Sequence, residues 1–324
     1  MVVGASSLCY NSCIHTRNMP NTHLEHPEDL IFSSRRAALR AVKQLMMSNY
    51  SNLSVKWDGA PAIVFGTHPE TGKFFVGTKS VFNKVKIKIN YNNEDIDKNH
   101  SGNVADILRL CLKYLPRIDG IVQADWIGIG GGEVYTPNTI TYKFSSPITQ
   151  NIILAPHTRY ETIAPYAKGY PFIMDLSSTH EVYFVNHSDA RVNVKSWFAP
   201  KLVAEIISLI PFAKVPNSKL RHNILREINN FVRAGNIPSF EILYKVIDAK
   251  YKGEVNVTTL KVWYRLSELK QRLLDAIVVN GNVDCYIDDE PTCHEGFVTV
   301  SNNPFKIVDR LTFSKANFNL SKNW

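Results

Sequence analysis

Residues 55–66, VKWDGAPAIVFG, place Lys56 two positions before Asp58 and three before Gly59 in an otherwise apolar run. A protonated lysine is a poor nucleophile. One that is partly buried beside other cations has a lowered pKa and can attack. Alternate residues of a strand share a face, which puts Asp58 on the side of Lys56. A glycine just after the pair lets the backbone come close to a ligand. Taken alone, Lys-x-Asp-Gly equally describes a turn held by a structural Lys–Asp pair, so other residues must decide.

Further candidates follow along the chain. FVGTKS carries Lys79, GIVQADW carries Asp125, and TITYKF offers Tyr142 and Phe144. HEGFVTV carries Glu295 and Gly296, and FKIVDRLTFSK carries Lys306. Each has a plain counterpart: Phe144 a core aromatic, Glu295 a surface carboxylate beside a tight glycine turn, Lys306 an edge-strand lysine that discourages edge pairing. Two glycine-rich stretches are not phosphate loops. GTHPETGKFF has five residues between Gly66 and Gly72, and Phe74 stands where a magnesium-binding hydroxyl belongs, so it reads as a hairpin turn. GIGGGE, residues 128–133, lacks the GxGxxG spacing and a following helix, and reads as a turn.

In this order the motifs resemble the covalent nucleotidyltransferase superfamily of ATP-dependent DNA and RNA ligases and mRNA capping enzymes. KWDG resembles the family's first motif, whose lysine attacks the α-phosphate of a nucleoside triphosphate. The resemblance implies Lys56 as the catalytic nucleophile, with Asp58 and Gly59 shaping the nucleotide pocket. It implies nucleotide contacts from Lys79, Asp125, Phe144, Glu295 and Lys306, with Phe144 or Tyr142 stacked on the purine. It further implies ATP as substrate, Mg2+ (or Mn2+) held through Glu295 and Asp125, and a lysyl-AMP intermediate. Lys306 and Lys79 are then expected to keep Lys56 unprotonated by like-charge repulsion. HLEHPEDLIF, KWDGAPA and TGKFFVGTKSVFNK together are similar to ligase-like proteins of tailed bacteriophages. The chain departs from the pattern where Val308 occupies the place of the final motif's second lysine, with Arg310 or Lys315 as candidate replacements.

Short strands rich in β-branched and aromatic residues must position these groups: LSVKW, PAIVF, KFFVG, GIVQA, TITYKF, NIILA, EVYFV, VDCYIDD, GFVTV and FKIVDRLTF. Residues 20–50 read as helical, from Pro27 and two acids in a first turn, with Leu39, Val42, Leu45 and Met46 on one face. Residues 103–115 form one helix within the strand series. Further helices fall in 195–280, where Leu220, Ile224, Ile228 and Phe231 share a face ended by Gly235, and Thr258 or Thr259 caps a helix bearing Leu266, Leu269 and Leu273. The expected fold is α+β with antiparallel sheets. By the resemblance it is a nucleotidyltransferase (ATP-grasp-like ligase adenylation) domain with a helical insertion. The expected boundaries are an N-terminal arm over 1–18, the catalytic domain over 19–194 and 281–324, and the helical insertion over 195–280.

Of the chain's 324 residues 20% are charged and 44% hydrophobic, which suits a globular protein. No apolar run is long enough to cross a membrane, and the first residues lack a secretory pattern. Residues 195–272 hold 14 Lys/Arg against 6 Asp/Glu, whereas the rest of the chain is balanced. Such a block fits either a solvated basic face or a polyanionic partner. With little chain after Lys306, it is the expected substitute for the oligonucleotide-binding-fold domain of ligases, and Lys214, Lys219, Arg221, Arg226 and Arg233 are the candidate nucleic-acid contacts. Five scattered cysteines argue against a disulfide framework. A zinc site from CYNSC and CHEG would lack the usual spacing, so reduced thiols in a cytoplasmic monomer are expected.

The functional expectation is an ATP-dependent polynucleotide ligase, RNA ahead of DNA. The alternatives are a nucleotidyltransferase with another acceptor and a nucleic-acid-binding phage protein that has lost sealing activity.

Overall fold

The computed structural model describes residues 24–49, 51–171, 176–186, 189–301 and 303–314, with the side chain of Ser314 excepted. The 1–18 arm, Cys9, Cys13 and Lys315 lie outside the described residues.

After a 3-10 turn at Pro27–Phe32 comes helix α1 (Arg35–Met46), then strands β1 (Leu53–Lys56), β2 (Ala62–Thr67) and β3 (Phe74–Gly77). Helices α2 (Asn93–Asn99) and α3 (Gly102–Tyr114) follow. Next are β4 (Ile121–Ile129), β5 (Val134–Tyr135), β6 (Thr141–Phe144), β7 (Ile152–Tyr160), β8 (Gly169–Pro171), β9 (Val182–Phe184) and β10 (Ala190–Val194). Four helices then run in series: α4 (Pro200–Leu209), α5 (Ser218–Arg233), α6 (Phe240–Lys250) and α7 (Val257–Ala276). The described chain closes with β11 (Ile277–Gly281), β12 (Val283–Ile287), β13 (Glu290–Thr292), β14 (Gly296–Thr299), β15 (Lys306–Val308) and a π-helical turn at Arg310–Ser314. The α+β reading with antiparallel sheets therefore holds.

The largest sheet runs β3-β2-β4-β7-β8, antiparallel throughout, with β9 added parallel to β7. Period-two alternation gives its two faces different partners. Val122, Ala124 and Trp126 of β4, with Ile152 and Leu154 of β7, pack on Leu108 and Cys111 of α3. The intervening Ile127, Ile153 and Ala155 pack instead on Tyr142 and Phe144 of the second sheet, β13-β12-β6-β5.

A third sheet, β1-β14-β15, joins this sandwich to the helices. Leu53, Phe297 and Ile307 from its strands share one core with α1 and with Ile206, Ile224, Ile247 and Trp263 of α4–α7. The helical series leaves and re-enters the strands at one place, because β10 pairs β11 from Ala190↔Gly281 to Val194↔Ile277.

Local signals were mostly followed, with three shifts. Pro27, Glu28 and Asp29 begin a buried 3-10 turn rather than a continuous helix. In α1 the buried face is Ala38, Ala41, Val42 and Leu45, leaving Leu39 43% exposed. The α7 cap is Asn256, whose side chain accepts from Thr259 N–H, because an Asn at that position can meet the helix's unpaired donors. GTHPETGKFF is the β2–β3 hairpin, closed by Gly72 N–H donating to His68 O at 2.9 Å.

Candidate active site

Strand register assembles the site. In β1 and β14, Lys56 stands opposite Gly296, so Glu295 arrives beside it although 239 residues separate them in sequence. Lys56 Nζ forms an ion pair with Glu295 Oε2. Lys56 keeps 28% of its side-chain surface exposed and Glu295 only 11%, so the pair is partly buried with the lysine on its outer side. Gly296 is required there, because a Cβ would meet Ile307 O at 2.3 Å and Val308 Cγ2 at 2.7 Å on β15. Lys306, at the start of β15, stands opposite Val298 on the same sheet.

After Lys56 the chain turns tightly. Trp57 packs between Tyr142 (ring centroids 5.0 Å) and His294 (4.9 Å). Asp58 is buried, its N–H donates to the Tyr142 hydroxyl at 2.7 Å, and its carboxylate accepts from Asn138 Nδ2 at 2.9 and 3.0 Å and Thr139 N–H at 3.3 Å. Gly59 permits a close approach, but to protein: a Cβ would lie 2.5 Å from Trp126 O of β4. Ala60 N–H donates to that same carbonyl at 3.1 Å. The turn is thereby seated against β4 next to Asp125, whose Oδ1 lies 3.4 Å from His157 Nε2.

The electrostatics reverse one expectation. Burial pulls the Lys56 ammonium down, but Glu295, Asp125 and Asp58 together outweigh it and raise its pKa. In the free protein Lys56 is therefore charged, not kept neutral by neighbouring cations. Burial pushes both Glu295 and Asp58 up, beyond what Lys56 offsets. Lys306 goes the other way, lowered by burial and then by Lys56. Three carboxylates thus face one paired lysine and one destabilised lysine.

The other predicted residues are placed differently. Lys79 is exposed just beyond β3, at the end of the sheet where β2 begins. Phe144 lies in the core, 4% exposed and edge-on to Tyr135 and Tyr183, and Tyr142 is fully buried, so neither offers a free face for a base. Val308 is buried, and Arg310 is occupied by Glu28, Asp29 and Asn229 rather than standing in for a second lysine. Among the basic candidates, Lys219, Arg226 and Arg233 lie seven residues apart on the exposed face of α5. Lys214 donates to Gly253 O, and Arg221 turns inward to Glu25 at 2.5 Å.

Sequence reading missed Asn138, Tyr142 as a hydrogen-bond partner of the turn, and His157. Asn138 sits in a Thr-Pro-Asn-Thr loop whose composition signals only a turn.

Among the described residues no group of three or more His, Cys, Asp or Glu is placed to hold a metal ion. No helix among them is long and apolar enough to cross a membrane. Magnesium characteristically takes one or two carboxylates and completes its shell with phosphate and water, which the excess carboxylate charge around Lys56 suits.

No curated protein and no solved structure matches the chain. Residues 21–322, which include every element of this site, match a family of unknown function, DUF6267, and the chain belongs to that family.

Proposed function

We propose that the protein is a covalent nucleotidyltransferase acting as an ATP-dependent polynucleotide ligase through Lys56. One observation carries this reading: Lys56 and Glu295, from opposite ends of the chain, meet across adjacent strands with Asp58, Asp125 and Lys306 around them.

In the first step the neutral Lys56 amine attacks the α-phosphorus of ATP in line. An N–P bond forms, the P–O bond to pyrophosphate breaks, and the nitrogen's proton departs to solvent. An oxygen of a strand's 5′-phosphate then attacks the adenylyl phosphorus, forming a P–O–P anhydride while the N–P bond breaks and Lys56 regains a proton. A 3′-hydroxyl finally attacks the strand's 5′-phosphorus and AMP leaves.

Lys306 is the cation best placed to meet charge developing on phosphate oxygens, since burial favours its pairing with an anion. Asp58, tied to Asn138 and Thr139, holds the Lys56 turn in register. A magnesium or manganese ion held by Glu295 and Asp125 would neutralise phosphate charge and offset the carboxylates that keep Lys56 protonated. The exposed stripe on α5 would grip nucleic-acid backbone without reading sequence. RNA is the first choice of strand, since some RNA ligases use helical accessory domains, the part that α4–α7 would play here.

A second reading, transfer of AMP or GMP to another acceptor, draws on the buried Val308 and the committed Arg310.

The test is incubation with α-labelled ATP or GTP and magnesium. An acid-labile labelled protein band that falls by about 1,000-fold or more in Lys56→Ala is expected. No adduct from folded protein with either nucleotide overturns the reading. An adduct without sealing of nicked RNA, nicked DNA or single-stranded RNA selects the other acceptor.

A further inference from the structure

A polar cavity of about 290 Å³ opens between α5, the segment before Pro27 and the start of β15. His26, Arg221, Asn229, Lys306 and Arg310 line it, with Glu25 and Asp29 as its acids. Buried donors normally find partners, and each exception calls for an explanation. Here two exceptions fall in one lining: Nδ1 of His26 and Nε of Arg221 are buried without a hydrogen bond among the described residues. The Lys306 ammonium likewise makes no ion pair among them, although its backbone N–H donates to Glu25 O at 3.0 Å.

The acids are already engaged. Asp29 accepts from Arg310 at 2.9 Å and from Trp263 Nε1 at 2.8 Å, and Glu25 takes one end of the Arg221 guanidinium. The lining therefore has three permanent or near-permanent cations against two acids, with its unused donor capacity on Arg221 and Lys306. Arginine presents a planar fork suited to phosphate oxygens, and Glu25 leaves the Nε side of that fork unused. Burial and the neighbouring cations hold His26 well below the ordinary histidine pKa, so its ring is neutral. A neutral imidazole can offer either an N–H or a lone pair, and so can meet either a bare phosphate oxygen or a P–OH.

We propose that this cavity binds a terminal phosphate group, with Arg221, Lys306 and His26 as its ligands. A terminal phosphate carries up to two charges, whereas an internal phosphodiester carries one. The lining's excess positive charge and its two unpaired buried donors therefore suit the more highly charged group, while Arg310, joined to Asn229 at 2.6 Å, is already engaged. Arg221 follows Lys219 by two residues on α5, about 200° around the helix, so the exposed basic stripe and the cavity lie on different faces of that helix. Two sources share this chemistry, the 5′-phosphate of a polynucleotide and the pyrophosphate half of a triphosphate. Choosing the 5′-phosphate rests on the ligase reading, but the cavity's affinity for phosphate does not.

Binding of a fluorescent RNA oligonucleotide with a 5′-phosphate is compared with its 5′-hydroxyl twin, in the full chain and without nucleotide. About tenfold tighter binding of the phosphorylated strand is expected. Arg221→Gln abolishes that preference, and Arg221→Lys, which keeps the charge but not the fork, retains only part of it. Glu25→Gln removes the competing carboxylate and increases the preference. Unchanged thermal midpoints certify that the variants fold. A preference for pyrophosphate over both strands, lost in Arg221→Gln, keeps the phosphate site and assigns it to the triphosphate. Equal binding of the two strands together with no pyrophosphate binding overturns the proposal. Adduct formation is scored separately: a 5′-phosphate preference without adduct leaves the cavity standing while the ligase reading falls.

Discussion

Two buried clusters of charge lie close together in this protein, and they are built on opposite principles. In one, Glu28 accepts from Lys270 at 2.7 Å and Arg310 at 3.2 Å, while Asp29 accepts from Arg310 at 2.9 Å and Trp263 at 2.8 Å. Burial pushes the Glu28 carboxyl up, yet the two cations overcome it and its pKa ends below the ordinary value. This cluster clamps the N-terminal turn to α7 and to the π-helical turn after β15. In the other, around Lys56, Glu295 and Asp58 both end above their ordinary values despite the lysine beside them. A cluster whose acids are outweighed by their cations, even with Glu28 Oε2 left without a hydrogen bond among the described residues, has a structural use. One that stays short of positive charge is ready for cations or for substrate.

The sharpest way to break that contrast is to remove one partner from the clamp. Lys270 is 3% exposed and Glu28 fully buried, so Lys270→Met leaves a carboxylate that water cannot reach. Loss of about 3–5 kcal/mol in denaturant-determined stability is expected, as for other buried pairs deprived of one member. Pairing Lys270→Leu with Glu28→Met should recover much of that loss, because similar volume is restored without a lone charge. A single variant as stable as the wild type would mean that the clamp contributes nothing its parts could not supply to water.

The next effect concerns pH and the ring that packs against Trp57. Burial lowers His294 from 6.5 to about 4. Between those two values the unfolded chain binds a proton that the folded chain refuses, so stability falls as pH drops from 6.5 to 4. The full effect amounts to roughly 3 kcal/mol, and none of it acts above about pH 7. His26, also lowered by burial, adds in the same direction. Urea titrations at pH 7 and pH 4.5 should show the loss, and His294→Phe should show a smaller one. An identical pH dependence in that variant would place the acid sensitivity elsewhere.

How legible each cluster was in the sequence follows from how its members are spaced. KWDG and HEGF each join a reactive residue to a glycine on a strand end, and two glycines prove to be demanded by close backbone approach, Gly59 to Trp126 and Gly296 to Ile307. The strands β4 and β7 were equally readable, since GIVQA and NIILA are rich in β-branched residues and bounded by turn-forming ones. The clamp was not. Glu28 and Asp29 look like ordinary first-turn acids, and only the tertiary fold brings Lys270 and Arg310, more than 240 residues later, onto them. Phe144 failed as a stacking ring for the same reason: an aromatic on a strand looks alike whether it faces a cleft or a second sheet. The charge state of Lys56 was also beyond sequence, because it depends on how many carboxylates share the space.

The smallest expected effect tests that last point and separates the clusters most finely. Because Lys56 is held above its ordinary pKa, adduct formation should accelerate about tenfold per pH unit from neutrality upward until the amine titrates. Glu295 is the largest single contribution holding that proton. Glu295→Gln should therefore move the midpoint of the rate profile to lower pH, whatever it does to the maximum rate. The same variant should cost little stability, because a carboxyl already raised by burial gains from becoming a neutral amide. In the clamp, Glu28→Gln should do the reverse, destabilising the fold and leaving the midpoint of the profile where it was. A profile unmoved by Glu295→Gln would mean that Lys56 does not lose its proton against Glu295, and the two clusters would then differ in exposure alone.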